Sequence, residues 1–135
     1  MSVSYLVVFL GAGLGGMLRH MVGMLLPRLL GTGFPSATMF VNITGSFLMG
    51  LAAGYFAFRT SMFAGSGWHQ EARLFLTTGL LGGYTTFSTF SLDTMTLFER
   101  GEAGLALAYL ICSVVFSLLA IFLALALMRG LAGGA

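Results

Sequence analysis

Four apolar stretches, each long enough to cross a membrane as a helix, occupy most of this chain. They cover about 4–26, 36–58, 74–98 and 104–128. A spanning helix needs roughly 20 apolar residues. Only 7% of the 135 residues are charged, so the chain has neither the length nor the polar surface for a soluble domain. We therefore expect an all-α integral membrane protein in which 1–135 form a single membrane domain with four transmembrane helices.

The ends of these stretches carry the usual boundary signals. The first is expected to end at Pro27 and Arg28, because proline disfavours continuation of a helix, and the second at Arg59. The longest polar stretch runs from 60 to 73 and contains Trp68, an aromatic residue typical of the membrane interface. We predict that this stretch is an interfacial loop.

The third stretch contains a polar interruption at membrane depth. Gly79, Gly82 and Gly83 precede the run Tyr-Thr-Thr-Phe-Ser-Thr-Phe-Ser at 84–91. Backbone groups freed by a helix break inside a membrane need partners within the protein or in a polar cavity. Polar residues at that depth are functional candidates by default. The sequence thus predicts that the third helix is broken and that the break marks a site.

The six basic residues, all arginines, are balanced between the two ends of the predicted bundle. One side has Arg59, Arg73 and Arg129, and the other has Arg28, Arg100 and Arg19. The side with more Lys and Arg in its short loops normally stays in the cytoplasm. The balance is therefore consistent with two alternatives: insertion in both orientations with antiparallel pairing, or one orientation set by other features.

Two kinds of intramembrane residue are candidates for binding an anion. Asn42 lies in the middle of the second helix, where its amide either donates to an anion or ties two helices together. Phe87 and Phe90 are three residues apart, so they lie on nearly the same helix face, and their ring edges carry partial positive charge. They are either core residues or the lining of an anion path, with Ser88 and Thr89 between them.

Other polar candidates lie in the first, third and last helices. Tyr109, Ser113 and Ser117 recur every four residues and form a polar stripe, which either lines a water path or bonds to its own helix. Arg19 either extends to the membrane interface or collects anions at a pore mouth. Asp93 is the only carboxylate within a predicted span, and capping, pairing and a direct role all remain open for it.

Several function classes lack the residues they require. The sequence offers no nucleophile with a base and an orienting partner, no paired carboxylates and no Gly-Lys-Ser or Gly-Lys-Thr loop, so an enzyme is not expected. A net charge of +2 spread over separate loops predicts no nucleic-acid partner. Cys112 is the only cysteine and is expected to pack within a helix. No role is expected for His20 or His69, which lack metal-ligand partners in the sequence.

Three motifs lie in three different predicted helices. They are Gly-Ala-Gly-Leu-Gly-Gly-Met-Leu-Arg at 11–19, Val-Asn-Ile-Thr-Gly-Ser-Phe at 41–47 and Gly-Gly-Tyr-Thr-Thr-Phe-Ser-Thr-Phe-Ser at 82–91. Together they resemble the Fluc family of fluoride channels, also called CrcB-type proteins, and the resemblance covers all four spans in order. It implies an antiparallel, dual-topology homodimer in the inner (plasma) membrane, with two narrow pores through which fluoride leaves the cell passively.

The same resemblance assigns roles to the candidate residues. It implies an anion pore containing Asn42, Phe87, Phe90, Ser88, Thr89, Tyr109, Ser113 and Ser117. It places Arg19 in a vestibule at the pore mouth. It also implies a structural sodium ion at the dimer centre, held by the main-chain carbonyls of Gly82 and Thr85 from both subunits, since such oxygens suit a hard cation.

Two other classes of membrane protein compete with this interpretation. Small multidrug exporters are also four-span, dual-topology dimers, but they use a membrane-embedded glutamate early in the chain. The first span here contains no carboxylate. A structural or assembly subunit without transport activity would leave the hydroxyl-rich break unexplained. A measurement of fluoride flux distinguishes all three classes.

Overall fold

The computed structural model describes residues 2–58 and 67–133, and every regular element within these ranges is a helix. In chain order they are α1 (Ser2–Leu30), α2 (Ser36–Phe58), α3 (Gly67–Arg73), a π-helical segment (Leu74–Leu81), α4 (Gly82–Tyr84), α5 (Phe87–Glu99) and α6 (Ala103–Gly133). By length and composition, three of these helices, α1, α2 and α6, are able to cross a membrane. The prediction of an all-helical membrane protein is confirmed for the described residues.

Helix α1 continues past Pro27 and ends one turn later than the proline predicts. A proline in the last turn is tolerated here, and its carbonyl accepts a hydrogen bond from the Gly31 N–H at 2.9 Å. Gly31 has φ +85°, a left-handed conformation that glycine adopts without steric cost. The glycine therefore ends the helix, and α2 begins at Ser36 as expected.

Helices α2 and α6 pack closely because glycines of α2 face α6. A Cβ atom at Gly50 would lie 2.7 Å from the Ala124 Cβ and 2.8 Å from the Ile121 carbonyl oxygen. One at Gly54 would lie 2.6 Å from the Met128 Cβ. Small residues at this interface thus let the two helix backbones approach closely, as is typical of helices packed in lipid.

A second glycine interface joins α1 to the third apolar stretch. Gly11 and Gly15, one turn apart on α1, face Gly79 and Gly83. A Cβ atom at Gly11 would lie 2.7 Å from the Phe75 carbonyl oxygen, and one at Gly83 would lie 2.5 Å from the Ala12 carbonyl oxygen. Backbone therefore packs directly on backbone, and this contact holds the broken helix in place.

The third apolar stretch is divided, as the sequence predicts. Its first part, the π-helical segment and α4, ends at Tyr84, and its second part, α5, begins at Phe87. Thr85 and Thr86 between them have extended backbones, with ψ of 157° and 119°. A π-helix is rare and occurs frequently at functional sites, and the sequence contains no signal that predicts it.

The interfacial loop predicted for 60–73 is not observed in its described part, 67–73. Residues 67–73 form α3, which leads directly into the π-helical segment, so the loop prediction is wrong for this part. The remainder, 60–66, and Arg59 lie outside the described residues. Near α3 the Ser4 hydroxyl donates to the Glu71 carboxylate at 3.0 Å, which places the start of α1 and the start of the third stretch at the same end of the bundle.

Arg129 and Arg100 lie at the ends of the bundle assigned to them from sequence, whereas Arg19 does not. Arg129 lies over the Phe58 ring at 5.7 Å, at the end of the bundle where α2 finishes. Arg100 pairs with Glu102 at 2.9 Å at the opposite end. Arg19, assigned from sequence to that opposite end, instead reaches into the bundle and contacts the helix break, because α1 extends three turns beyond it.

Candidate functional site

The helix break is held by a two-way hydrogen-bonded pair with Asn42. The Thr86 backbone N–H donates to the Asn42 Oδ1 at 2.8 Å, and the Asn42 Nδ2 donates to the Thr86 carbonyl at 3.0 Å. Both backbone groups of Thr86 are thus satisfied inside the protein, as a break at membrane depth requires. Of the two roles considered for Asn42, helix tying is observed, and one amide N–H remains for another acceptor.

The break also frees main-chain carbonyls from their helical partners, among them those of Gly82 and Thr85. In a continuous helix the N–H of residue i donates to the carbonyl of residue i−4. The Thr86 N–H instead donates to Asn42, and the Thr89 N–H donates to the Thr86 hydroxyl at 3.1 Å. The carbonyls of Gly82 and Thr85 therefore lose these partners, and the Arg19 guanidinium donates to that of Thr85 at 3.4 Å.

These two carbonyls are the ones that the family resemblance assigns to sodium. Carbonyl oxygens fit a hard cation, and each has two lone pairs, so the contact with Arg19 leaves the Thr85 oxygen capacity for a second partner. In the described ranges no group of three His, Cys, Asp or Glu residues is placed to hold a metal. The freed carbonyls are thus chemically suited to a hard cation.

The Thr86 side chain organises the start of α5. Its hydroxyl accepts from the Thr89 N–H as the helix N-cap, donates to the Thr89 hydroxyl at 3.0 Å and lies 3.2 Å from the Ser88 hydroxyl. Thr86 is buried, with 8% of its surface exposed. It was not among the site residues predicted from sequence, although a threonine directly before a helix is a recognisable capping signal.

Replacement of Thr86 by valine is expected to destabilise the folded protein by about 1–2 kcal/mol, because the helix loses its cap and the Thr89 N–H loses its acceptor. The measurement is thermal unfolding of the purified protein in detergent. Thr86→Ser, which keeps the hydroxyl, should retain most of the stability. Thr94→Val is the matched control, because the Thr94 hydroxyl donates only to the Phe90 carbonyl of its own helix at 2.8 Å. Equal losses at Thr86 and Thr94 would contradict the capping role.

Most of the predicted pore residues surround one cavity of about 360 Å³ beside the break, which we call the break cavity. It is lined by Asn42, Gly45, Ser46, Met49, Thr85, Thr86, Phe87, Phe90, Ser113, Val114, Ser117, Leu118 and Ile121. Three helices, α2, α5 and α6, contribute to it, so the fold brings together residues that lie up to 79 positions apart (42 to 121). The Ser113 hydroxyl is buried and has no hydrogen-bond partner among the described residues.

The two phenylalanines are neighbours but differ in burial. Their ring centroids are 5.7 Å apart, as their spacing on α5 predicts. Phe87 is 79% exposed, whereas Phe90 is buried and its ring lies 5.4 Å from that of Tyr109. Phe90 is thus both a core residue and a lining residue of the break cavity, and Phe87 projects from the surface of the single chain.

Tyr109, the third member of the predicted polar stripe, is fully buried and does not line the break cavity. It belongs to a core cluster with Phe90, Leu97 and Ala106. Its hydroxyl donates to the Asp93 carboxylate at 3.3 Å. Of the alternatives for Asp93, pairing is therefore observed, with a tyrosine of the last helix rather than with an ion-pair partner.

A second cavity of about 310 Å³, which we call the arginine cavity, lies on the other side of Thr86. Its lining consists of Gly16, Arg19, His20, Gly23, Ala37, Thr38, Val41, Thr86 and Thr89. The predicted vestibule residue Arg19 and the predicted pore residue Thr89 therefore line the same cavity. Thr86 is the one residue that lines both this cavity and the break cavity. Ser88 is exposed on α5 and lines neither of these two cavities.

Comparison with known proteins identifies the same family as the sequence motifs at the helix break. Residues 6–125 match the family model described as CrcB-like protein, Camphor Resistance (CrcB). The chain belongs to the CrcB family. It is 52% identical over 129 residues to the fluoride-specific ion channel FluC of Rhodopseudomonas palustris (strain BisB5), and 54% identical over 129 residues to FluC 2 of Nitrobacter hamburgensis. Each alignment covers 96% of this chain and 99% of the relative.

A third relative extends the comparison along almost the whole chain. The fluoride-specific ion channel FluC of Granulibacter bethesdensis is 51% identical over 132 residues, which is 98% of this chain and 99% of that protein. The matched region of each of these relatives includes α1, α2, the broken third stretch and most of α6. The likeness to the family therefore extends over all the elements that build the two cavities.

Proposed function

We propose that this protein is a fluoride-selective ion channel that exports fluoride passively and lowers its concentration in the cytoplasm. The observation that carries the proposal is the break cavity, in which neutral hydrogen-bond donors and phenylalanine rings meet beside a helix break. Relatives with about half of their residues identical are named fluoride-specific ion channels, which supports the same substrate and a channel rather than an enzyme.

The lining of the break cavity suits a small, strongly hydrated anion. None of its lining residues is charged. Fluoride has to exchange water for other donors, and the second N–H of Asn42 and the hydroxyls of Ser113 and Ser117 supply them. The ring edges of Phe87 and Phe90 add a weak positive potential. Binding without a fixed charge stays weak enough for the ion to leave, as conduction requires.

We propose further that two chains pair as an antiparallel, dual-topology homodimer with two pores in the inner (plasma) membrane. Phe87, with 79% of its surface exposed beside the break, and Gly82, also exposed, are then covered by the partner. Without Arg19, which reaches into the bundle, the arginines assigned to the two ends number three and two, and this small difference supports insertion in both orientations. Reporter fusions to the C-terminus are expected to be active on both sides of the membrane, and activity on one side alone would contradict dual insertion.

A structural sodium ion at the centre of this dimer is part of the proposal. The freed carbonyls of Gly82 and Thr85 from both subunits would hold it, and its charge would bind the two helix breaks to each other. Gly82 is exposed in the single chain, so its carbonyl is accessible to an ion shared with a second copy. The part of the proposed sodium site that the protein supplies is the helix break, which the hydrogen bonds between Asn42 and Thr86 hold in place.

The purified protein in liposomes is expected to release trapped fluoride rapidly and passively, and to retain chloride. A fluoride electrode and a chloride electrode measure the two fluxes. Phe87→Ile is expected to lower the fluoride flux at least about tenfold, because an aliphatic side chain lacks the positive ring edge. A tenfold change requires the loss of only about 1.4 kcal/mol of favourable interaction with the anion. Phe122→Ile is the matched control, since Phe122 is similarly exposed, on α6, and lines neither cavity.

The alternatives predict different results in the same liposomes. A small multidrug exporter would show proton-coupled drug transport and no fluoride flux, and an assembly subunit would show neither. No fluoride release from correctly folded wild-type protein would refute the channel. Equal loss of flux in the Phe87 and Phe122 variants would place the anion path elsewhere.

A further inference from the structure

Ser46 of α2 lines the break cavity, and its hydroxyl is not among the donors proposed above for the anion. It follows Asn42 by one helical turn, so the two side chains lie on the same face of α2. On α6, Ser113 and Ser117 are also one turn apart, and both line the same cavity. The break cavity therefore has two polar residues on each of two helices that pack against each other.

The glycine contacts between α2 and α6 fix which residues of the two helices are opposite each other. Gly50 packs against Ile121 and Ala124. Gly54, four residues later on α2, packs against Met128, which is four residues after Ala124 on α6. The two helices therefore run in the same direction, and a step of one turn along α2 matches a step of one turn along α6.

This register arranges the polar residues of the break cavity in two levels. It places Ser46 opposite Ser117, one turn before the contact between Gly50 and α6. One turn earlier still, it places Asn42 opposite Ser113. The two levels are about 6 Å apart along the helix axes, because each residue of a helix advances by about 1.5 Å.

The hydroxyls at the second level are not used within the protein. Serine and threonine hydroxyls inside a helix often donate to the carbonyl four residues earlier. Thr44, Ser91 and Thr94 do so here, at 2.7, 2.9 and 2.8 Å. Ser46 and Ser117, by contrast, form no hydrogen bond with any residue of 2–58 or 67–133. Their hydroxyls are therefore available to a ligand in the break cavity.

We infer that Ser46 is an anion-binding residue of the fluoride path, and that it forms a second level of donors together with Ser117. The inference rests on the proposed function of the break cavity. Fluoride gives up part of its water on entering the cavity, and hydroxyl donors at each level replace that water. Two neutral levels one turn apart let the ion move from the level of Asn42 to that of Ser46 without binding tightly at either.

The test is fluoride release from liposomes that contain the Ser46→Ala or the Ser46→Cys variant. Both substitutions are expected to lower the flux about threefold to tenfold, as for the loss of one hydrogen bond to the ion. Cysteine is close to serine in size but its S–H is a weak donor, so this variant separates hydrogen bonding from packing. Ser117→Ala is expected to lower the flux by a similar factor, because Ser117 belongs to the same level.

Ser91→Ala is the matched control. The Ser91 hydroxyl donates to the Phe87 carbonyl of its own helix, and Ser91 lines neither the break cavity nor the arginine cavity. This variant is expected to conduct like the wild type. Size-exclusion chromatography and thermal unfolding in detergent establish that each variant is folded before its flux is compared.

The outcomes separate this inference from the proposed function. Wild-type flux from folded Ser46→Ala and Ser46→Cys protein would refute the role of Ser46 and leave the channel intact. A loss in Ser46→Ala that is absent in Ser46→Cys, or an equal loss in Ser91→Ala, would also refute it, because hydrogen bonding to the ion would not be the cause. Absence of flux from the wild type would refute the channel and this inference together.

Discussion

Fluoride flux is expected to fall about 100-fold or more when Asn42 is replaced by aspartate, the largest functional effect that the site predicts. Asparagine and aspartate have nearly the same shape, so the change isolates chemistry from packing. The Asn42 Nδ2 donates to the Thr86 carbonyl at 3.0 Å, and a carboxylate oxygen at that place is an acceptor facing an acceptor. The substitution also puts a negative charge on the wall of the break cavity, where it repels an anion.

The measurement is fluoride release from liposomes, with folding checked by size-exclusion chromatography and circular dichroism. Asn42→Gln keeps both donor and acceptor but moves them by one methylene, and we expect an intermediate flux. Thr94→Val, with a hydroxyl that bonds only within α5, is expected to conduct like the wild type. Wild-type flux in folded Asn42→Asp protein would show that the anion path does not pass the break cavity.

Loss of the folded protein is expected when Gly15 is replaced by alanine, the largest structural effect. A Cβ atom at Gly15 would overlap the Leu80 carbonyl oxygen and lie 2.8 Å from the Tyr84 backbone nitrogen. All of these atoms are backbone, so no side-chain rotation relieves the contact, and α1 has to separate from the broken helix. Overpacking typically costs about 1–3 kcal/mol where side chains adjust, and we expect this backbone contact to cost at least as much as the top of that range.

Gly13 provides a matched control on the same helix. A Cβ atom there has nothing within 4 Å in the single chain. Gly13→Ala is therefore expected to be neutral or to stabilise α1 by up to about 1 kcal/mol, the difference in helix propensity. Yield of folded protein and thermal unfolding in detergent measure both variants. Equal behaviour of the two alanine variants would contradict the glycine interface between α1 and the third stretch.

Much of the architecture follows from the sequence because its signals are local. Apolar length alone predicts α2, which begins and ends at the expected residues. The glycines followed by hydroxyl residues predict a break in the third stretch, and the structure places it between Tyr84 and Phe87. The Phe87–Phe90 contact follows from helical spacing within one element. Periodicity and hydropathy describe a few turns of one helix, so features of this length can be predicted from the sequence without knowledge of the tertiary structure.

Features that depend on contacts with another helix could not be predicted from the sequence. The proline rule places the end of α1 at Pro27, whereas Gly31 ends the helix, and Arg19 therefore contacts the break instead of lying near an end of the bundle. Tyr109 fits the polar stripe by its spacing, yet it lies in the core and bonds to Asp93. The direction in which a side chain points depends on the rotation of each helix against its neighbours, which no local pattern contains.

What the sequence by itself determined is the class of the protein, the number and order of its apolar stretches, the position of the break and the motifs that carry the family likeness. Only the tertiary structure decided that Asn42 closes the break through Thr86, that Thr86 lines both the break cavity and the arginine cavity, and that Arg19 contacts the break. The physical reason is that a buried polar group has to find its partner across helices. Many pairings of buried polar groups are compatible with the same amino-acid composition. The packing at the glycine interfaces selects one of these pairings.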